Sequence, residues 1–311
     1  LGYWMDWNDP DVLRYLADKL LEDPQQEVTV QGPEGPVTGP VELVVGKLGM
    51  PAMGGSYFTF ATENNYTIWA FLKKVWKKGW LYRGHDVMPW CPRCETGISQ
   101  HEIVTDGYQD LTHDAPVVRF PLKGRDKEAL LVWTTTPWTL TSNVAAAVGP
   151  DLTYVKVEAR DGWTYYLAEG VLDAVVKGEH EVLDTLKGEA MEGWAYEGPF
   201  DNLPKVRAME IPGTHRVILW EEVGEEEGTG IVHIAPGCGA EDFELGQEYD
   251  LPALAPLTEE GYFVEGFDWL TGKNVHNVAH EIFHDLEEKN RLYRVDAYTH
   301  RYPVCWRCAT P

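Results

Sequence analysis

The sequence predicts an α+β chain. Helical runs occupy the N-terminal third and one segment near the C-terminus. Strand-like runs fill the stretch between about residues 115 and 234, and a Cys-x-x-C pair stands near each end of the chain. The 311 residues are 44% hydrophobic and 24% charged, an ordinary globular mixture that excludes disorder over most of the chain. At ~100–200 residues per domain, the length suits about two domains. No apolar run approaches the ~18 residues of a membrane span; Ile68 to Leu72 and Ala129 to Trp133 are the longest candidates. The chain starts at Leu1 with no basic stretch leading into an apolar one. No signal peptide, no membrane partner, a cytoplasmic location and a piece excised from something longer are therefore expected.

The first helix starts at Asp9-Pro10, an N-cap followed by Pro at the first helical position. Leu13, Leu16 and Leu20 recur at helical spacing and Pro24 ends the run. From about residue 25 to 55, Val28-Thr29-Val30, the turn Gly32 to Pro36 and Val41 to Val45 read as a hairpin-like insertion. A second helix follows, with Ile68, Phe71, Leu72, Val75 and Trp76 on one apolar face and Gly79 as its C-cap. Val117 to Phe120 and Ala129 to Thr135 read as strands, the second of them buried. Tyr154 to Ala159 and Trp163 to Ala168 flank an Asp161-Gly162 turn and form a hairpin. Val217 to Trp220 and Ile231 to Ile234 are further strands, and a helix runs from Val275 to Asn290.

Asp plus Glu number 50 against 26 Lys plus Arg, a net charge of −24. Such a field repels a polyanion at long range and disfavours non-specific nucleic-acid binding. The best local basic patch, Lys73, Lys74, Lys77, Lys78 and Arg83, reads as a solvated helix face, with a local RNA contact as its alternative. Of the five cysteines, four form Cys91-Pro92-Arg93-Cys94 and Cys305-Trp306-Arg307-Cys308, and Cys238 stands alone. Two such knuckles without a secretory signal read as a structural four-thiolate zinc site, at ~2.3 Å Zn–S, that ties the two ends of the chain together. Reduced thiols without metal are the alternative.

Two segments carry chemistry. Leu130 to Asn143 delivers Thr134, Thr135 and Thr136 from a buried strand to Pro137, where a helix or turn begins and leaves amides free. Three hydroxyls suit a polar ligand or a held water, although threonine is also common in strands. Glu227 to Phe243 reads as a Gly-rich turn, a short strand, a Gly-rich loop and an acidic helix start. Asp242 is either an N-cap or the partner of a cationic group. His233 is either a satisfied half-buried histidine or a ligand contact.

Together the two segments resemble the editing domain of the class I aminoacyl-tRNA synthetases for branched aliphatic amino acids. The Trp-Thr-Thr-Thr-Pro-Trp-Thr-Leu run from Trp133, with Asn143 seven residues after Thr136, is similar to the isoleucyl form. So is Gly228-Thr229-Gly230-Ile231-Val232-His233, with Asp242 nine residues after His233. The flanks Leu1 to Trp7 and Tyr82-Arg83-Gly84-His85 and both knuckles agree; residues 25 to 55, Thr141, Ser142 and Cys238 depart from the family pattern. The resemblance implies a distorted, mostly antiparallel β-barrel with peripheral helices and a zinc-clamped stalk. It divides the chain into residues 1–100 (stalk, insertion and first knuckle), 101–290 (editing domain) and 291–311 (return segment with the second knuckle).

The family's His-Ile-Gly-His and Lys-Met-Ser-Lys-Ser signatures are absent from this sequence. ATP and Mg²⁺ are therefore expected only in a parent enzyme, which is itself an expected partner. One missing methylene in a hydrophobic pocket is worth only ~1–3 kcal/mol, a limit for which the isoleucyl enzymes are themselves the standard illustration, so a second pocket is needed to remove valine. The resemblance implies hydrolysis of valine from the 3′ end of tRNA(Ile). It assigns Asp242 to the α-ammonium, His233 to a side-chain wall that rejects isoleucine, and Thr134, Thr135 and Thr136 to the ester, the terminal adenosine or the attacking water. Trp133 and Asn143 are further substrate contacts. Direct water attack is expected, since no Ser-His-Asp arrangement accompanies these residues.

Two other readings compete. His280-Glu281-Ile282-Phe283-His284 matches the zinc-protease motif H-E-x-x-H. Its histidines, however, share a solvated stripe with His276, apart from the apolar stripe Val278, Ile282 and Leu286, and no third ligand follows. The other reading is a non-catalytic, zinc-stabilised tRNA-docking module. It is opposed by the charge and by Glu221, Glu222, Glu225, Glu226 and Glu227, which read as a solvated loop beside the Gly-Thr-Gly turn.

Overall fold

The computed structural model describes residues 10–32, 35–48, 62–225 and 228–311. The flank Leu1 to Trp7, Asp9, the tip residues Pro33 and Glu34, the end of the 25–55 insertion, and Glu226 and Glu227 lie outside the described residues. The chain divides into two compact units, residues 1–85 and 86–311.

In the first unit, α1 (Pro10–Glu22) leads into β1 (Glu27–Gly32) and β2 (Gly35–Pro40), an antiparallel pair in which Val28 and Val30 alternate inward. Val41 to Val45, expected as part of the insertion's strand pairing, instead forms the helix α2 (Val41–Gly46). A short apolar run fits a helix or a strand equally well. Here Val41 and Val44, three apart, share the buried face, and the amides of Val41 and Glu42 find the carbonyls of Gln26 and Pro24. Leu16, Val28, Val30, Val41 and Val44 make the core. α3 (Thr62–Lys77) ends as expected, with Gly79 at φ +73°. Its expected apolar face is exposed at Ile68, Phe71 and Trp76, and Lys73, Lys74, Lys77 and Lys78 are solvated.

The second unit begins with β3 (Trp90–Cys91), β4 (Thr96–Gly97) and α4 (Gln100–Asp106), whose Ser99–Glu102 capping box satisfies the helix start. The strands β5 (Tyr108–Pro121), β6 (Glu128–Trp133), β7 (Ala145–Val148), β8 (Thr153–Ala159) and β9 (Thr164–Ala168) follow. After α5 (Leu172–Val175) come β10 (His180–Lys187), α6 (Pro204–Ala208), β11 (Val217–Leu219) and β12 (Ile231–Ile234). The chain finishes with α7 (Ala240–Glu248), α8 (Ala279–Glu288) and β13 (Leu292–Pro303).

Five of the pairings in the main sheet are antiparallel and three are parallel. They run in order from β5 through β6, β12 and β7 to β11. The segment around residue 195 then closes the ring. Ala195 bridges to Arg216 beside β11, and Tyr196 bridges to Leu122 at the end of β5. The sheet is thus a curled, mostly antiparallel barrel with peripheral helices, as the resemblance implied. Phe120, Leu130, Leu167, Tyr196 and Phe267 fill the core, and α8 buries Val278, Ile282 and Leu286 against it.

β5 is much longer than the expected Val117–Phe120. Its first half is solvated and pairs with β13, which the sequence showed only as a return segment. Tyr154 links two distant loops inside the barrel. Its fully buried hydroxyl donates to the Gly230 carbonyl (2.7 Å) and accepts from the Gly149 amide (2.9 Å). Tyr154→Phe leaves both groups without a partner, at a cost of about 1–3 kcal/mol. A lower urea midpoint with an unchanged slope is the expected result; an unchanged midpoint would show that neither hydrogen bond contributes.

Candidate functional site

β6 and β12 run parallel but share one paired position, Val232 against Trp133. Beyond it they diverge. β6 runs into Thr134-Thr135-Thr136 and the 3-10 turn Pro137–Ser142, while β12 continues through Ala235 to the loop before α7. The divergence opens a cleft of about 720 Å³, within the usual range for a small-molecule site. Trp133, the three threonines, His233 and Asp242 all line it. Asn143 does not. It is buried outside the lining, where Nδ2 donates to the Ala145 carbonyl (2.9 Å) and Oδ1 accepts from the Tyr196 hydroxyl (2.8 Å). Gly228 closes one wall at φ +69°, where a Cβ would lie 2.7 Å from the Trp133 ring, so only glycine allows this turn.

Thr134 Oγ1 accepts from the Thr136 amide (3.1 Å) and shapes the bend. The hydroxyls of Thr135 and Thr136 are half-buried in the cleft and have no hydrogen-bond partner among the described residues. Thr139 has a role that the strand-based reading missed, although it lies in the same motif. Its hydroxyl donates to the Thr136 carbonyl (2.7 Å) and lies 2.9 Å from His233 Nε2. With that proton committed, Nε2 must carry the hydrogen and Nδ1 is a bare acceptor. Nδ1 is buried without a partner, and burial holds the His233 pKa down at about 4. The imidazole is therefore neutral at pH 7.

Asp242 lies in the first turn of α7, whose N-cap is Gly239, so the N-cap reading fails. Its Oδ1 instead accepts from the Ala235 amide (2.6 Å). Oδ2 lies where a Cβ on Gly239 would come within 2.2 Å, so that glycine makes room for the carboxylate. Burial raises the Asp242 pKa to about 6, against the lowering effect of the Ala235 amide. At pH 7 the cleft thus holds a desolvated carboxylate that attracts a cation. Cys238 also lines the cleft, with burial pushing its thiol up to about 12. Tyr302 of β13 completes one wall. Its ring stands edge-on to His113 (4.8 Å), which pairs with His300 across β5 and β13 (3.0 Å). No local signal in the sequence linked Tyr302 to the cleft.

The four paired cysteines converge. Cys91, Cys94, Cys305 and Cys308 place their sulfurs within 4.8 Å of one another. The Cys91–Cys308 separation is 3.6 Å, close to the ~3.8 Å edge of a tetrahedron with 2.3 Å Zn–S bonds. The Cys94 amide donates to Cys91 Sγ (3.4 Å), the Cys308 thiol meets the Thr310 hydroxyl (3.2 Å), and hydrogen bonding with Thr310 lowers the Cys308 pKa while its thiol neighbours raise that of Cys94. The donor set fits a closed four-thiolate metal site. Among the described residues it is the one cluster of three or more metal-ligating side chains. The H-E-x-x-H residues are exposed on α8, with Glu281 paired to Lys273 and His284 facing Glu288.

The sequence matches the family described as tRNA synthetases class I (I, L, M and V) over residues 46–294. It is 43% identical over 256 residues to the isoleucine–tRNA ligase of Methanothermobacter marburgensis and 42% identical over 267 residues to that of Thermococcus kodakarensis. Each match covers 82% of this chain and 24% of the relative. The chain thus spans about a quarter of the length of these curated relatives. The solved editing domain of the P. knowlesi cytosolic leucyl-tRNA synthetase is similar at a TM-score of 0.44 and 12% identity, over 62% of this chain and 99% of that one.

The two shifted groups oppose each other in stability. Asp242 is raised in the folded state, so its contribution is full below its unfolded value of 3.8 and is lost as pH rises through about 6. His233 is depressed, so its contribution is full above 6.5 and is lost as pH falls through about 4. Each is worth on the order of 2–3 kcal/mol. Asp242→Asn removes the first and leaves the second. Between pH 7 and 4 this variant is expected to lose stability to urea more steeply than the unaltered chain. Parallel pH profiles would show that Asp242 does not titrate within this window.

Proposed function

The chain belongs to the class I tRNA synthetase family of the isoleucyl, leucyl, methionyl and valyl enzymes, and from that premise we propose that it is the hydrolytic editing region of an isoleucyl enzyme. Its substrate is valine esterified to the 3′ end of tRNA(Ile). The observation that carries this reading is the meeting, in one cleft, of the buried Asp242 carboxylate with the Thr134–Thr136 run.

In the proposed reaction, the α-ammonium of the bound valine faces Asp242 Oδ2. Pairing with a cation draws the carboxylate below its free-site pKa, so the charge of the substrate strengthens its own binding. His233, fixed by Thr139, forms the wall against the side chain. The neutral imidazole is buried and held at Nε2 by Thr139, so an extra methyl group meets a wall that cannot move without breaking that hydrogen bond. Thr135 and Thr136 supply the unpartnered hydroxyls that position the ester and the attacking water. Water adds to the ester carbonyl, the tetrahedral species collapses, and the ribose oxygen leaves with a proton. Positioning and fixed dipoles supply the rate, without a covalent intermediate.

The four cysteines would hold zinc, whose contribution is structural because all four positions are filled by protein ligands. One zinc ion per purified chain is expected, with Cys91→Ser losing both the metal and several degrees of thermal midpoint. A chain that is equally stable with and without Cys91, and free of zinc, would contradict the site. For the reaction, valyl-tRNA(Ile) should lose its amino acid much faster than isoleucyl-tRNA(Ile), and Asp242→Ala should abolish the difference by removing the activity. Full activity in Asp242→Ala would rule out the ammonium assignment.

A further inference from the structure

A second cleft, of about 470 Å³, lies where the β8–β9 turn, Lys177 after α5 and the start of β13 meet Arg119 of β5. We propose that it is a phosphate site that takes a backbone phosphodiester of an RNA, resting on the tRNA reading above. In a chain of net charge −24, this cleft is lined by Arg119, Arg160, Lys177 and Arg294 against one carboxylate, Asp161. That carboxylate is already engaged. Oδ1 accepts from the Trp163 amide, and Oδ2 accepts from the Tyr165 hydroxyl and Arg119 Nη2.

The cations fall into two pairs. Arg119 is buried, with Nε on the Tyr165 hydroxyl (2.8 Å) and Nη1 on the Leu292 carbonyl (2.7 Å). Arg294 is pinned to the carbonyls of Val175 (2.6 Å) and Ala174 (3.1 Å), and its Nε pairs with Asp296 (2.7 Å). These two, each paired with a carboxylate, give the cleft a fixed frame, and its uncompensated charge comes from the other two. Arg160 is exposed and has no hydrogen bond or ion pair among the described residues, and the Lys177 ammonium meets the Asp173 carbonyl (3.0 Å) with protons to spare. A guanidinium fork and an ammonium facing one opening match the two unbridged oxygens of a phosphodiester.

The position selects a polymeric ligand. Arg294 and Tyr302, which lines the first cleft, are both on β13, roughly 26 Å apart along the strand at ~3.3 Å per residue. An aminoacylated nucleoside in the first cleft cannot reach the second, whereas a polynucleotide can.

Arg160→Glu/Lys177→Glu changes two exposed side chains and is expected to leave folding intact. Anisotropy of labelled tRNA(Ile) at low salt should show roughly tenfold weaker binding by this variant and a log–log salt slope shallower by about 1–2. Arg160→Lys should retain most of the affinity. KM for valyl-tRNA(Ile) should rise in step at unchanged kcat, while hydrolysis of 3′-valyl-adenosine, which has no phosphodiester, stays the same. Equal tRNA affinity and salt slope in the variant would overturn the proposal. So would an equal loss on valyl-adenosine, which would place the damage in the first cleft. Orthophosphate that shifts the Arg160 side-chain NMR signals as tightly as a tetranucleotide does would reassign the site to free phosphate and overturn the RNA assignment. Binding that responds to the variant in a chain that hydrolyses no valyl ester would support the phosphate site and sink the editing reading instead.

Discussion

Strands β6 and β12 share one paired position, Val232 against Trp133, and the cleft exists because they do not share a second. Each strand is otherwise satisfied elsewhere, β6 by β5 and β9, and β12 by β7. Their divergence therefore leaves no long row of unpaired backbone groups, which would be costly inside a protein. What emerges at the gap is a threonine run following one strand, a histidine on the other, and an aspartate from the helix α7 that comes after it. Residues a hundred positions apart in the chain are set against one cavity by a sheet that is paired on both outer sides.

The same geometry sets the electrostatics. The walls that hold His233 neutral also desolvate Asp242, and both shifts have burial as their cause. A carboxylate in that position is unstable alone and is relieved by a cation. In the proposed reaction the substrate ammonium would offset that desolvation, and groups with shifted pKa values are common at functional sites. The −24 net charge is consistent with this local logic only because the basic side chains are unevenly distributed. Four of them line the second cleft, against the carboxylates of Asp161 and, through Arg294, Asp296.

Elements whose burial is periodic were legible from the residues. The Val278, Ile282 and Leu286 stripe, the Asp161-Gly162 hairpin with Gly162 at φ +79°, and the cysteine knuckles all appear where local chemistry placed them. Elements set by tertiary pairing were not. β7 is Ala145-Ala146-Ala147-Val148, a run whose three alanines have low strand propensity and which is extended because β11 and β12 pair with it on either side. β13 and the first half of β5 form a ribbon in which Tyr298, His300 and Tyr302 alternate with exposed neighbours, a mixed polar and aromatic alternation without the apolar run that marks a strand. For the site, the two contiguous motifs were visible, yet Asn143 proved to be a buried strut and Tyr302 was invisible. Likewise the contiguous lysines of α3 drew attention as a basic patch, while the cationic cleft is assembled from four separate segments that only the folded chain brings together.

The proposed reaction depends on an ionised Asp242 that holds the substrate ammonium. The most direct test is calorimetric titration of a non-hydrolysable amide analogue of 3′-valyl-adenosine at several pH values between 7 and 5. The analogue's amine stays protonated across this range, so Asp242 is the group that changes. Affinity should fall as pH drops through the Asp242 transition near 6, lowered somewhat by the ligand itself, and Asp242→Asn should bind weakly with no such pH dependence. Equal affinity at pH 7 and 5, or an Asp242→Asn variant that binds as tightly as the unaltered chain, would contradict this assignment.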